Sequence, residues 1–309
     1  MDLSVLISSY RRPEVLARTL EHLARQDPDP GFDVVVAIDG DADHGPARLE
    51  EFRERAPFDL TVLRFPHLGH GAVLNRGLEA VRGTYCLILG DDIFPTPEWI
   101  HHHLSRLREF NRPEVAVQGL TRWHPDLFPD AFLEWELESG AIFAYPRMQP
   151  RSFVSPEFLF TSNVSFTTRW LRSTPGFPED VPWNMDTLFA FRARAQGLRL
   201  FYEPRALAHH FHRWSMHTEV SRRYTQGRLA ARLEAGEPEF SGFITHPRLT
   251  PWRRLRHAAS RLARPAAERF GPRSLRGWCW MHELNYQFAR GYRDQQAGRE
   301  DRHSFEPME

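Results

Sequence analysis

The chain has 309 residues, 41% of them apolar, which is enough to bury a core for one large α/β domain with an appendage and argues against disorder. Its 40 basic side chains, all arginine, balance 40 acidic ones, so net charge gives no reason to expect nucleic acid as a partner, and the presence of only two cysteines, Cys86 and Cys279, argues against a disulfide framework. No run approaches roughly 18 consecutive apolar residues, and residues 1–10 lack the basic flank and cleavage site of a signal peptide. A cytoplasmic protein is therefore expected.

The run Leu3-Ser4-Val5-Leu6-Ile7 predicts a buried strand, and after Arg12-Pro13 the residues Val15, Leu16, Leu20 and Leu23 fall at helical spacing. A second strand over 32–38 lies too far along the chain for a hairpin, so a parallel βαβ unit follows. The alternation continues with a helix over 47–55, a strand over 60–65, a helix over 72–81, a strand over 85–89, a helix over 97–110 and a strand over 115–120. Cys86, inside the fourth of these strands, reads as a small buried hydrophobe. Beyond Leu120 the pattern weakens into a short helix over 130–139 and a loop through Pro146, Pro150 and Pro156. A strand over 160–167, a helix over 184–196 ending at Gly197 and a strand over 198–202 come next, and from about Ser215 the chain reads as helical. The fold class is α/β: a mostly parallel central sheet sandwiched by helices, with a helical C-terminal extension.

Open parallel sheets bind ligands beyond the carboxyl ends of their strands. Three polar clusters fall there: Ser8-Ser9-Tyr10-Arg11-Arg12, Asp39-Gly40-Asp41-Ala42-Asp43 and Gly90-Asp91-Asp92-Ile93. Adjacent carboxylates after an apolar strand repel unless a cation or hydrogen bonds offset the repulsion. Their oxygens suit Mg²⁺ or Mn²⁺, which bridge one or two carboxylates to a substrate diphosphate. The plainer reading of Asp91-Asp92 is a turn or a helix cap.

Taken in order, these segments resemble the family 2 glycosyltransferases, inverting enzymes of the GT-A fold. The resemblance includes Gly69-His70-Gly71-Ala72-Val73-Leu74-Asn75-Arg76-Gly77, with Leu74 where the family often has Arg, and Tyr85 to Pro95, with Gly90 where a first Asp is common. It implies a transfer domain over 1–214, with a donor-binding half over 1–121 and an acceptor half over 122–214, followed by a helical extension over 215–309. It further implies a nucleotide-diphosphate sugar as donor, contacted by Ser9, Tyr10, Arg11, Asp39, Asn75 and Asp91, and a divalent cofactor, Mn²⁺ or Mg²⁺, held by Asp92.

The family's later pattern is matched by Asn163-Val164-Ser165, Gly176-Phe177, Asp186, Arg192, Gly197, Pro204 and His210. Asp186 matches the base that deprotonates the acceptor hydroxyl, with Glu179 and Asp180 as neighbouring competitors; otherwise it is an acid favourably set in the first turn of a helix. His210, in better register than His209, is implied as a metal ligand among His209, His210, His212 and His217. Trp183 could stack on the acceptor sugar, whereas core packing is expected for Trp123, Trp135 and Trp214. His101, His102 and His103 read as solvated.

From Trp252 to Trp278 eight arginines face a single acid, Glu268, and are interleaved with apolar residues. Packing on the catalytic domain with the arginines in water is the expectation; the alternative is peripheral contact through 252–278 with the inner face of a membrane, near a lipid-linked acceptor. The carbohydrate or lipid-linked acceptor fits cell-surface polysaccharide or glycolipid assembly. A sugar-nucleotide nucleotidyltransferase would carry a glycine-rich loop after the first strand, which Ser8 to Arg12 lacks, and the same lack disfavours a dinucleotide oxidoreductase. The joint presence of Asp39, Asp92, Asp186 and His210 speaks against an inactive carbohydrate-binding scaffold.

Overall fold

Apolar runs ending in polar turns become the strands of a nine-stranded mixed sheet in a computed structural model, which describes residues 2–27, 31–40, 46–181, 184–242 and 250–299. The elements are β1 (Leu3–Ser9), α1 (Pro13–Leu23), β2 (Phe32–Asp39), α2 (Pro46–Arg55), β3 (Asp59–Phe65), α3 (His70–Ala80), β4 (Tyr85–Gly90), β5 (Ile93–Pro95), α4 (Trp99–Phe110) and β6 (Val115–Trp123). Then follow α5 (Ala131–Ser139), β7 (Ser152–Val154), β8 (Asn163–Thr167), α6 (Thr168–Ser173), α7 (Met185–Ala193), β9 (Arg199–His210), α8 (Met216–Gly236), α9 (Pro251–Phe270) and α10 (Arg273–Gln296).

The strand order is β3-β2-β1-β4-β8-β6-β9-β5, with β7 beside β9. The segment β3-β2-β1-β4 is parallel, whereas β8 runs antiparallel to both β4 and β6. The strands β1, β2 and β4 are apolar almost throughout because helices cover both faces. On one side Leu16, Leu20 and Leu23 of α1 and Trp99, Ile100 and Leu104 of α4 pack on Leu3, Val5, Ile7, Val34 and Leu87. Cys86 is fully buried, and burial pushes its thiol up to about 12, as befits an inert core residue.

Four expectations of the fold need correction. The final strand does not stop at Tyr202 but runs to His210, because a bulge absorbs the Pro204-Arg205 interruption. Its register with β6 jumps from Gly119↔Glu203 to Leu120↔Leu207. The carbonyls of Leu120 and Ala206 at the jump each accept a hydrogen bond from Asn163 Nδ2 at 3.1 Å, and a Cβ on Gly119 would strike that amide at 2.4 Å. Two short strands, β5 and β7, escaped the sequence reading; each pairs antiparallel with β9.

The third correction concerns His103, which is fully buried. Its Nε2 lies 2.9 Å from Asn163 Oδ1, and its Nδ1 lies 2.9 Å from Ser165 Oγ. Asn163 Oδ1 also accepts from the donor-only indole of Trp99 at 2.7 Å, so Nε2 must carry the proton and Nδ1 accepts from the hydroxyl. Burial of this neutral ring lowers its pKa to about 4.

The chain divides into two compact units: Met1–Asp126 with Tyr145–His212, which contains the sheet, and Leu127–Ala144 with Arg213–Glu309. Segment 127–144 thus belongs with the C-terminal helices, although it was expected within a continuous block over 122–214. In the second unit Asp130 caps α5 by accepting from the Phe132 and Leu133 amides, and Trp135 packs against Phe132 and Trp280. Ser215 and Thr218 form a capping box at the start of α8.

Candidate active site

Two residues, Asp91 and Asp92, join β4 to β5, and both are buried. Arg12, the last residue before α1, lies between them: its Nη2 donates to Asp91 Oδ1 and its Nη1 to Asp92 Oδ2, each at 2.5 Å. Pro13 fixes the helix start immediately after it, so the guanidinium is launched from a rigid helix terminus. Ser9 Oγ donates to Asp91 Oδ2 at 2.7 Å, and Thr19 Oγ1 on α1 donates to the Asp91 carbonyl at 2.6 Å. Sequence reasoning passed over Arg12, although it ends the very motif that supplied Ser9, Tyr10 and Arg11.

On the other side of Asp92 stand two imidazoles. His210 Nε2 lies 3.3 Å and His212 Nδ1 3.7 Å from Asp92 Oδ2, and the Phe211 amide donates to the Asp92 carbonyl at 2.8 Å. His210 is stacked on Trp123 at 4.9 Å, which fixes its ring plane. Strand alternation sends His209 to the opposite face, next to His124. His212 was grouped with the histidines but given no role; its place beside Asp92 becomes visible only once β9 is known to extend to His210.

The two acids titrate in opposite directions. Burial raises Asp91 to about 6, with Arg12 and Ser9 opposing the rise. Burial would raise Asp92 as well, but His210 and Arg12 outweigh it and hold this carboxylate well below the usual range. The fold also accounts for Gly90, which stands where an acid was expected, because a Cβ there would meet Ile93 Cγ1 at 2.7 Å.

Asp39, at the end of β2, accepts from the backbone amides of Leu68 at 2.6 Å and Gly69 at 3.1 Å, and His67 Nδ1 lies 3.1 Å away. Tyr10 packs 4.8 Å from the His67 ring, with the guanidinium of Arg11 5.1 Å from the Tyr10 ring centre. Tyr10 also lies against Gly40, whose φ of 99° favours glycine. Asn75, on α3, has its carboxamide turned toward the Gly176-Phe177 turn. It accepts from the Phe177 amide at 2.8 Å and donates to the Phe177 carbonyl and to Glu179, both at 2.9 Å. Gly176 has φ of 81°, and a Cβ there would lie 3.0 Å from Asn75 Oδ1.

Asp186 sits in the first turn of α7, where its Oδ1 accepts from the Thr187 amide at 2.8 Å and its charge suits the helix dipole. Trp183, expected beside it on the acceptor side, lies outside the described residues, as do Asp41 and Asp43. The structure thus gathers Ser9, Arg12, Asp91, Asp92, His210 and His212 into one cluster, with Tyr10, Asp39 and His67 in a second at the ends of the neighbouring strands.

The donor set suits a divalent cation. Two adjacent carboxylates supply the hard oxygens that Mg²⁺ and Mn²⁺ prefer, and such sites are completed by substrate phosphates and water instead of a closed protein cage. Among the described residues no three His, Cys, Asp or Glu side chains are already arranged as such a cage.

The mixed sheet with its helices is of the GT-A type, and solved structures share the fold. The mannosyltransferase PcManGT from Pyrobaculum calidifontis, solved in complex with GDP-Man and Mn²⁺, superposes with a TM-score of 0.65 at 19% identity over 96% of this chain and 88% of that one. S. aureus TarS 1-349 in complex with UDP-GlcNAc gives 0.54 at 16% identity over 97% and 93%. In sequence, the chondroitin synthase of Pasteurella multocida is 25% identical over 228 residues, 64% of this chain and 23% of that protein, so the chain spans about a quarter of that relative's length. The model of Glycosyl transferase family 2 matches residues 4–158, half of the chain. The chain belongs to glycosyl transferase family 2.

Proposed function

We propose that the protein is an inverting, metal-dependent glycosyltransferase that moves a sugar from a nucleotide-diphosphate donor to an acceptor hydroxyl. The observation that carries this reading is the buried Asp91-Asp92 pair at the strand ends of a family 2 frame, flanked by Arg12 on one side and His210 on the other. A cation bound by Asp92 and His210 would offset the charge of the departing diphosphate. Arg12 would keep the two acids ionised and in place before the donor arrives. Asp39, already fixed by the loop amides of Leu68 and Gly69, would present its outer lone pairs to the nucleobase, next to Tyr10. Ser9, Arg11 and Asp91 would line the rest of the donor, while Asn75 would act through the 176–179 turn that it holds.

Transfer with inversion needs one base to take the proton of the acceptor hydroxyl as its oxygen attacks the anomeric carbon. Asp186 is assigned that role and Trp183 the face of the acceptor sugar. Likeness to a chondroitin synthase supports a setting in polysaccharide or glycolipid assembly, with a carbohydrate or lipid-linked acceptor. No described helix is long and apolar enough to cross a membrane.

The test is incubation of the protein with a panel of nucleotide sugars and Mn²⁺ or Mg²⁺. Release of free nucleoside diphosphate is expected. Pyrophosphate release in a parallel incubation with a nucleoside triphosphate and a sugar 1-phosphate would instead mean nucleotidyl transfer, and donor binding without release of either product would mean a carbohydrate-binding scaffold.

A further inference from the structure

Helix α9 turns its apolar stripe away from its own unit. Its buried positions are His257, Ser260 and Ala267, and His257 pairs with Glu283 of α10 at 2.9 Å. Trp252, Leu255, Leu262 and Phe270 are spaced to fall on one stripe of a 3.6-residue helix, with Leu255 and Leu262 opposite those buried positions and Trp252 and Phe270 to the side of them. They are 63%, 59%, 86% and 79% exposed, which makes them the most exposed large hydrophobic side chains among the described residues. The expected arrangement was the reverse, with the arginines alone in water. A surface helix of a globular protein normally buries such a stripe, and an exposed one marks an interaction site.

The polar residues beside the stripe say what would cover it. The helix carries six arginines and one acid, Glu268, which is already occupied by Arg264 at 3.2 Å and by the Trp280 indole at 3.1 Å. Arg269 lies at one edge of the stripe with Arg254 and Arg261 beyond it, and Arg256 borders the other edge, all four exposed. A second copy of this face would set arginine border against arginine border with no spare acid to match them. An anionic lipid surface instead offers acyl chains to the stripe and phosphates to its borders, which is the pattern of a helix lying in a membrane interface.

We propose that α9 is a docking element for anionic lipid bilayers. It would lie in the headgroup layer with Trp252, Leu255, Leu262 and Phe270 at the acyl boundary and the bordering arginines on lipid phosphates. Binding therefore has two parts, one apolar and one screened by salt.

Flotation of the 309-residue chain with vesicles of phosphatidylcholine and phosphatidylglycerol, against phosphatidylcholine alone, tests this. Co-flotation with the anionic vesicles only is expected, weakening as salt is raised to about 1 M, where the Debye length falls to about 3 Å. Leu262→Glu combined with Phe270→Glu should lower the bound fraction at least about tenfold, with an unchanged thermal midpoint because both side chains face solvent. Arg254→Glu with Arg261→Glu should remove the preference for anionic lipid. Failure of the wild type to float with anionic vesicles overturns the proposal, as does undiminished flotation of the Leu262→Glu/Phe270→Glu variant. A wild-type dimer that the same pair converts to monomer, without vesicle binding, would make a second copy the occupant and equally overturn it.

Discussion

Arg12 and the arginines of α9 carry the same group into opposite settings. At the sheet rim one guanidinium is shared by two buried carboxylates at 2.5 Å each, whereas on α9 Arg254, Arg256 and Arg261 are exposed beside exposed apolar side chains. Charge matched inside the fold is felt by the fold itself, since removing one partner strands the others in a poor solvent. Charge left unmatched at the surface scarcely affects stability and waits for a partner from outside. The difference separates a site that the chain builds for itself from one that it completes with something else.

The sharpest way to break the first setting is Asp92→Ala. It is expected to abolish metal-dependent donor binding, measured by calorimetry with Mn²⁺, and to cut turnover by about 1,000-fold or more. Asp186→Asn should leave donor affinity intact while turnover falls by about 100- to 10,000-fold; wild-type turnover would remove this residue from the role of base. Arg12→Ala tests the matching itself. In metal-free buffer it should destabilise the protein by about 3 kcal/mol in urea titrations, toward the low end for a broken buried pair because Arg12 is a third exposed. Adding Asp91→Asn should recover part of that loss, and Arg254→Ala on α9 should change stability by less than about 0.5 kcal/mol.

A pH-dependent effect comes from a third kind of cationic group, one that the interior keeps neutral. His103 stays unprotonated in the folded chain down to about pH 4 because it is buried, while the unfolded chain takes up a proton below about pH 6.5. The unfolded state therefore binds more protons between these values, and stability is lost as pH falls through that window. Asp91, raised to about 6 by burial, works in the opposite sense over much of the same range. The measure is thus the difference between wild type and His103→Gln in urea midpoints at pH 7 and pH 4.5, where the variant should escape a loss of about 2 kcal/mol.

Much of the sheet could be read because its strands are buried on both faces and end abruptly in acids or serine, as at Ser9, Asp39 and Asp91. The order of those endings also carried the family resemblance. Other features had no local signature. The pairing of Arg12 with Asp91 and Asp92 spans about eighty residues and depends on β1 and β4 being neighbours. The length of β9 was hidden by Pro204 and Arg205, which a bulge accommodates and Asn163 repairs from another strand. His103 looked like one of three solvated histidines because a buried polar residue is recognised by its partners, and Asn163 and Ser165 are brought to it only by the packing of α4 on β8.

Asn75 holds Phe177 in the way that a neighbouring strand would, meeting both its amide and its carbonyl, while the same carboxamide reaches Glu179. The consequence is one of timescale. An ordinary surface turn breathes freely, but the turn at 176–179 cannot open without breaking these bonds or moving α3 with it. The two segments, a hundred residues apart in the chain, should belong to one cooperative unit of local unfolding, so that the exchange of the Phe177 amide with solvent keeps the slow pace of the helix and not that of a loop.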